Sequence, residues 1–442
     1  MDEQKKTFAD SKKSEDFLDS SKINKQIFAD TENYPKFSVS SKAVAFVDLH
    51  IHSKYSRATS SNLSFENLVK WARIKGITLL GTGDFTHPIW FSEIKKLKEQ
   101  DGLYYYDNFP FILSGEISLI YTQGRGRRVH LVLLAPSIEI VNRINAYLDT
   151  KGRRDYDGRP IFGISCEEFV REIRKIDERI EIIPAHCMTP YFGIFGSESG
   201  FDSLKEAFGN EEANIHAVES GMSANPLMLW QISELNNKAI ISFSDSHSFW
   251  PFRLGREATI FSEIKSYKDI IRQIRENSIL GTIETSPLYG KYHYDGHANC
   301  KFSCSPEESK KLNNICPICK KQLTIGVENR VNELANQKIE ENKNRKVFYE
   351  LLPLQELIAL AKATTMTSKK AWGVYNLLIE KFGNEFNILL NVSREEMLRH
   401  FPLENALIEL IMRNREGKIK VKAGYDGEYG IPLLEEKQVK LF

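Results

Sequence analysis

The sequence predicts an α/β domain followed by a short cysteine-rich segment and a helical C-terminal region. Three observations carry this prediction. Between residues 43 and 287, short apolar runs that read as strands alternate with stretches of helical period. Four cysteines, Cys300, Cys304, Cys316 and Cys319, then fall close together. Beyond Glu328, apolar residues recur at helical spacing.

Each element has its own signal. Ala43 to Val47 is an apolar run ending at Asp48-Leu49-His50, the pattern of a buried strand. Ser64 reads as a helix N-cap, Phe65, Leu68, Val69 and Ala72 share one helical face, and Gly76 closes the helix. Ile77 to Leu80 is the next strand, ending at Gly81-Thr82-Gly83-Asp84. Further strands fit Pro110 to Ile120, Val129 to Ala135, Ile182-Ile183, Ala217-Val218, Ala239 to Phe243 and Thr259 to Phe261. Helices fit Ser137 to Leu148, Cys166 to Ile176, Pro226 to Leu235 and Ile264 to Ile274. Past the cysteines, Leu354 to Ala361, Trp372 to Phe382 and Leu403 to Asn414 read as helices. Such alternation builds either a barrel or an open sheet, and in both the chemistry gathers at the C-terminal strand ends. The predicted units are a Lys/Ser/Asp-rich extension (1–42), the α/β domain (43–287), a cysteine module (288–328) and a helical domain (329–442).

Composition bounds the function. The chain has 442 residues, 41% of them hydrophobic, which excludes a wholly disordered protein. Lys+Arg number 60 against 59 Asp+Glu, which excludes coating nucleic acid by bulk charge but not a local basic groove. No stretch approaches the roughly 20 apolar residues of a membrane span, and the N-terminus lacks a signal h-region. A cytoplasmic protein with no membrane association is expected, and in that compartment cysteines serve as thiols or metal ligands.

Acidic residues and histidines mark the strand ends. His50 and His52, two apart, project to one side, a geometry suited to zinc, manganese or iron. Asp84 and His87 follow the second strand, and Glu116 and His130 lie in later ones. His186 closes another, as do Asp245 and His247. Clustered dications of this kind polarise a phosphoryl oxygen and lower the pKa of bound water. Glu116, a carboxylate amid imidazoles, is placed to bridge ions. Arg57, in the first loop, could bind a phosphate oxygen or be a solvated loop arginine.

Cys300-x3-Cys304 and Cys316-x2-Cys319 suit one tetrahedral zinc, read as structural because four thiolates leave no open position. His293 and His297, just upstream, read as nothing special. Lys320 and Lys321 beside it suit phosphate contacts. Arg125, Arg127 and Arg128 precede His130, and Arg153 and Arg154 lead toward Arg159. Tyr191, Phe192 and Phe195 lie on a glycine-containing loop after His186 that could stack on or wedge beside bases, or pack down and close the barrel mouth.

On Asp48-Leu49-His50-Ile51-His52-Ser53, Thr82-Gly83-Asp84, Gly115-Glu116, Val129-His130-Leu131, Ala185-His186 and Ser244-Asp245-Ser246-His247, the chain resembles the PHP (polymerase and histidinol phosphatase) phosphoesterases. The resemblance implies a distorted (β/α)7 barrel holding two to three divalent metals, Zn, Mn, Fe or Mg. His50, His52, Glu116, His130, His186, Asp245 and His247 match that family's ligand pattern. Two motifs depart from it. Ser56-Arg57-Ala58-Thr59 stands where the family often has an acidic residue or His. In Thr82-Gly83-Asp84-Phe85-Thr86-His87-Pro88, Asp84 or His87, or both, supply the ligand. With the four-cysteine module and the helical domain added, the order is similar to the endonuclease Q family. That likeness implies a metal-dependent DNA repair endonuclease. It would cut 5′ to deaminated bases (uracil, hypoxanthine, xanthine) or abasic sites, leaving 3′-hydroxyl and 5′-phosphate ends, with Asp245 and Glu116 central to catalysis. Damaged single- or double-stranded DNA is then the expected partner, and the protein a monomer. A DNA sliding clamp is a further candidate, suggested by the final Gln438-Val439-Lys440-Leu441-Phe442. A PHP phosphatase or DNA 3′ exonuclease, and a catalytically inert DNA-binding module, are the competing readings.

Overall fold

The computed structural model describes residues 44–433. The predicted 1–42 extension and the clamp-like peptide Gln438 to Phe442 lie outside the described residues.

The first helix shows how the sequence writes its elements. Ser64 accepts a hydrogen bond from the Asn67 N–H, starting Phe65–Lys75. Gly76, with φ 98°, closes it in a left-handed conformation that a side chain would strain. The buried face, Phe65, Leu68, Val69 and Ala72, packs inward. Serine N-caps start Ile138–Asp149, Cys166–Ile176 and Tyr267–Arg275 in the same way.

Strand pairing then sets where the strand ends fall. Leu79–Gly81 pairs in parallel with Val44–Asp48 on one side and with Phe109–Gln123 on the other. Phe109–Gln123 folds back at Gly124 into Arg125–Ala135, an antiparallel ladder running from Leu113↔Ala135 to Gln123↔Arg125. This hairpin distorts the βα alternation, because no helix separates the two strands. Glu181–Pro184 continues antiparallel from Arg125–Ala135, and Ala217–Glu219 pairs in parallel with Ala239–Ile241. On the other side of Val44–Asp48 come Ala258–Ser262, Gly281–Glu284 and Val347–Glu350. Val47, Leu49, Leu79, Ile112, Val132, Leu134, Ile183, Ile241 and Phe243 meet in the buried core, joined by Ile270, Ile271 and Ile274 of a flanking helix.

Two elements differ from the sequence expectation. The stretch Pro226 to Leu235 is one α-turn, Pro226–Leu229, and a separate 3-10 turn, Ser233–Leu235. The Ser233 N–H donates to Asn336 Oδ1 at 2.8 Å rather than to a helical carbonyl, which draws the chain out of the helix. Val347–Glu350, in the region expected to be helical, joins the main sheet beside Gly281–Glu284. That pairing is long-range and leaves no local period.

The C-terminal region is helical: Leu354–Ala361, Lys369–Phe382, Glu385–Leu390, Arg394–His400 and Asn405–Arg415. It is tied to the first helix by a buried ion pair. Lys75 Nζ lies 2.7 Å from Glu385 Oε1 and donates to the Pro251 carbonyl, while Tyr375 Oη donates to Glu385 Oε2. Breaking such a buried pair on one side is costly, because the other charge is left uncompensated. Among the described residues, no helix is long and apolar enough to cross a membrane.

Candidate metal centre and nucleic-acid face

The strand ends converge as the pairing requires. His50 and His52 follow Val44–Asp48, and Glu116 lies within Phe109–Gln123, opposite Val132 of the partner strand. His186 follows Glu181–Pro184, and Asp245 lies beyond Ala239–Ile241. His186 and Asp245 adopt positive φ (33° and 47°), as does Asp84 (44°). Strained backbone at several strand ends together is typical of a functional site.

Two groups of ligand-type atoms form, each within 4.8 Å: His50, His52, Glu116 and Asp245, and Glu116, His130 and His186. Glu116 belongs to both. Its Oε2 lies 3.3 Å from His50 Nε2 and 3.2 Å from His52 Nε2, and its Oε1 lies 2.9 Å from His130 Nδ1. Asp245 Oδ1 lies 3.0 Å from His52 Nε2. Burial pushes the Glu116 carboxyl up, but Arg159, His130 and His50 outweigh it and hold it well below the usual carboxylate range. For Asp245, burial is likewise outweighed, by His50 and His52. The two imidazoles show the mirror image. Burial lowers His50 and His52, yet Glu219, Glu116 and Asp245 around the one, and Asp84, Asp245 and Glu116 around the other, raise both well above the ordinary value. His130 differs: burial dominates and pushes it down to about 3.

These residues fit divalent metals. His50 Nε2 and Glu116 Oε1 are buried and make no well-directed hydrogen bond among the described residues, although Asp245, His130 and the Nε2 of His186 crowd them. Crowded, undirected imidazole and carboxylate atoms are what an ion site looks like without its ion.

Several predicted ligands lie elsewhere. Asp84 is not in either group. Its Oδ1 lies 3.0 Å from His52 Nδ1, and its Oδ2 accepts from the Ser53 N–H and Ser56 Oγ. It therefore orients His52 from behind, because the turn after Leu79–Gly81 aims it at the outer ring nitrogen. His87 is also outside both groups and stacks on Tyr55, with ring centroids 4.4 Å apart. His247 stands beside the first group, its ring 4.3 Å from His52 and its Nδ1 3.8 Å from Asp245 Oδ1. Arg57 is 80% exposed and pairs with Asp157, away from the cluster.

Two residues of the site escape the sequence reading. Glu219, at the end of Ala217–Glu219, is fully buried and holds His50 Nδ1 at 3.0 Å while accepting from the His186 N–H at 2.8 Å. The strand-end rule that selects Glu116 would also select it. Arg159 NH1 donates to Glu116 Oε2 at 2.8 Å. Its only signal is its place after the basic loop.

The predicted nucleic-acid residues divide. Arg128 and Tyr191 are exposed, and Phe192 is half-buried with its ring stacked on His130 at 4.3 Å. Arg125 donates to the Gly200 carbonyl, Arg153 pairs with Asp155, and Lys320 and Lys321 are exposed on the cysteine module. Arg154 is occupied by Asp149. Arg127 and Phe195 correct the expectation. Arg127 is buried, covers the Phe201 ring and binds Gln123 O, Gly200 O and Glu206, and Phe195 is fully buried. Both residues hold the loop in place from inside.

The cysteine module carries a further correction. The four atoms that come within 4.8 Å belong to His297, Cys300, Cys316 and Cys319, not Cys304. His297 Nδ1 lies 3.6 Å from Cys319 Sγ. The reason is hairpin register. In the ladder of Asp295–His297 with Phe302–Cys304, Cys304 stands opposite Asp295, at the end away from the turn that carries Cys300. Cys304 is instead buried beside Leu323 and Cys316. The overlooked signal is spacing: His297-x2-Cys300 repeats the x2 of Cys316-x2-Cys319.

Comparison with known proteins extends these observations. Residues 353–418 match the family model of the MJ0043 C-terminal domain. The uncharacterized protein MJ0043 of Methanocaldococcus jannaschii is 34% identical over 266 residues, 58% of this chain. The chain spans only 32% of that relative. The crystal structure of the lesion-specific endonuclease PfuEndoQ from Pyrococcus furiosus matches with a TM-score of 0.80 at 30% identity, covering 90% of this chain and 97% of that one. A structure of Endonuclease Q with a 27-mer duplex carrying an abasic lesion at the active site matches with a TM-score of 0.80 at 30% identity, over 90% and 98%. Fold and matches together place the chain in the endonuclease class. More particularly, the chain belongs to the endonuclease Q family.

Proposed function

We propose that this protein is a metal-dependent repair endonuclease. It hydrolyses the phosphodiester 5′ to a deaminated base or an abasic site and leaves 3′-hydroxyl and 5′-phosphate ends. The observation that carries the reading is Glu116, one buried carboxylate shared by two ligand groups. A shared carboxylate suits a pair of ions acting on one phosphate. The lesion class is suggested by the relative whose duplex carries an abasic lesion at its active site.

His50, His52, Glu116 and Asp245 would hold one ion, and Glu116, His130 and His186 a second. When bound, such ions lower the pKa of coordinated water and offset charge on phosphate oxygens. The protein's own groups prepare that site. Glu219 and Asp84 hold the Nδ1 atoms of His50 and His52, which leaves each Nε2 free to ligate. Phe192 covers the His130 ring and shields it from solvent. His297, Cys300, Cys316 and Cys319 would hold a structural zinc. A deaminated base pairs poorly, so extruding it toward this site costs less than extruding a normal base.

Labelled duplexes with uracil, hypoxanthine, an abasic site or no lesion, incubated with Mn²⁺, Mg²⁺ or Zn²⁺, test the reading. Nicks 5′ to the lesion only are expected, and Asp245→Asn should lower the rate by about 100-fold or more while duplex binding persists. End-trimming without internal nicks would indicate an exonuclease. Binding without cleavage would indicate an inert module.

A further inference from the structure

The metal centre contains a cation that none of the ligand motifs includes. Arg159 lies on the loop before Ile161–Phe162, and that loop is clamped on every side. The Arg159 N–H donates to Asp157 Oδ1 at 3.1 Å. Gly158 donates its N–H to the Tyr55 carbonyl and accepts from Thr86 Oγ1 at 3.1 Å. The Pro160 carbonyl accepts from the Ser118 N–H at 3.0 Å. Gly158 itself permits the approach: a Cβ there would lie 2.1 Å from Asp84 Oδ2 and from Ser56 Oγ. The chain is pressed against the residues that orient His52, and the next side chain enters the cluster.

Among the described residues that guanidinium makes one hydrogen bond, from NH1 to Glu116 Oε2 at 2.8 Å. The side chain keeps 29% exposure, so its other N–H donors are open to a ligand. A guanidinium offers a planar fork of donors that matches two phosphate oxygens, and it stays charged at any working pH.

We propose that Arg159 grips a non-bridging oxygen of the scissile phosphate, with one N–H anchored on Glu116 and the remaining donors on the substrate. This rests on the phosphodiesterase reading of the site. In this arrangement Arg159 contributes charge that increases in value as the phosphate gains negative charge during attack. Arg57 pairs with Asp157 instead and is 80% exposed. It shares only Asp157 with the Arg159 loop and sits at the rim.

The test uses the full-length, metal-loaded protein as wild type, Arg159→Met and Arg159→Lys. Metal content by mass spectrometry should be the same in all three. Inorganic phosphate, titrated by calorimetry, should bind about tenfold more weakly to Arg159→Met, with partial recovery in Arg159→Lys. On an abasic duplex, kcat should fall about 100-fold with KM changed less than about threefold. Equal phosphate affinity in Arg159→Met overturns the proposal, as does a wild type that binds no phosphate. Loss of metal in Arg159→Met also overturns it, because Arg159 would then be a counter-ion of Glu116. If the wild type cuts no lesion duplex but Arg159→Met still loses phosphate, the grip stands and the endonuclease reading falls.

Discussion

Glu116 is 1% exposed and faces three imidazoles within 3.3 Å and a guanidinium at 2.8 Å. In that setting His50 and His52 are raised well above the usual histidine range, because the surrounding carboxylates outweigh burial. Without metal they therefore hold their protons more tightly than ordinary imidazoles. A dication must displace those protons to use Nε2, so metal affinity should rise with pH across the neutral range. Calorimetric titration of Mn²⁺ into metal-free protein at pH 7, in buffers of different ionisation heat, should show release of about two protons per cluster. A heat independent of buffer would mean that the imidazoles are already neutral. At this scale much of the site is legible in the sequence: reading ligand-type residues on and just after the strands selects His50, His52, Glu116, His130, His186 and Asp245, and they do come together, although Glu116 and His130 lie inside their strands rather than at their ends. Asp84 does not join them, because a residue type at a strand end does not say whether it faces the ion or the back of another ligand. Glu219, the last residue of a three-residue strand, stands where the same rule would have found it.

Among elements, the cysteine hairpin is the clearest case of register overruling composition. Four cysteines in one segment point to a four-thiolate site, but pairing of His297 with Phe302 and Asp295 with Cys304 exchanges Cys304 for His297. Zinc content should therefore separate the two. Replacing His297 with Ala or Cys316 with Ser should release about one zinc per chain, while Cys304→Ser should retain it. Zinc loss from Cys304→Ser with retention in His297→Ala would restore the four-thiolate assignment. The end of the module and the helix after it also brace the loop that follows His186. Arg330, in the helix Val327–Leu334 that follows the module, donates to the carbonyls of Phe195 and Phe201, and Ser197 Oγ donates to the Ile325 carbonyl. The same loop carries Tyr191 and Phe192, so the cysteine module and the aromatic face share one support. None of this is readable from sequence, because Arg330 sits in an ordinary amphipathic helix beside Glu333, and its bracing partners, two carbonyls and Asp202, lie far away along the chain.

For the molecule as a whole, the alternation of apolar runs and helical periods foretells the α/β class, and the capping serines mark most helix starts. The long hairpin between Phe109 and Ala135 and the return of Val347–Glu350 to the main sheet lie beyond it, because both are set by pairing partners rather than by local pattern. The near-even balance of 60 basic and 59 acidic residues also takes on a local meaning. Acidic groups concentrate inside, as Glu116, Glu219, Asp84, Glu257 and Glu284 are all buried, while Arg128, Lys320 and Lys321 remain exposed. A chain of nearly zero net charge can thus present basic residues outward while many of its carboxylates lie inside. The most direct test of the endonuclease account uses a covalently closed circular duplex with one abasic site, which offers no end to an exonuclease. With Mn²⁺, wild-type protein should convert it to the relaxed form by one nick immediately 5′ to the lesion, and chelator or Asp245→Asn should prevent this. An unchanged lesion circle, or equal nicking of a circle without a lesion, would contradict it.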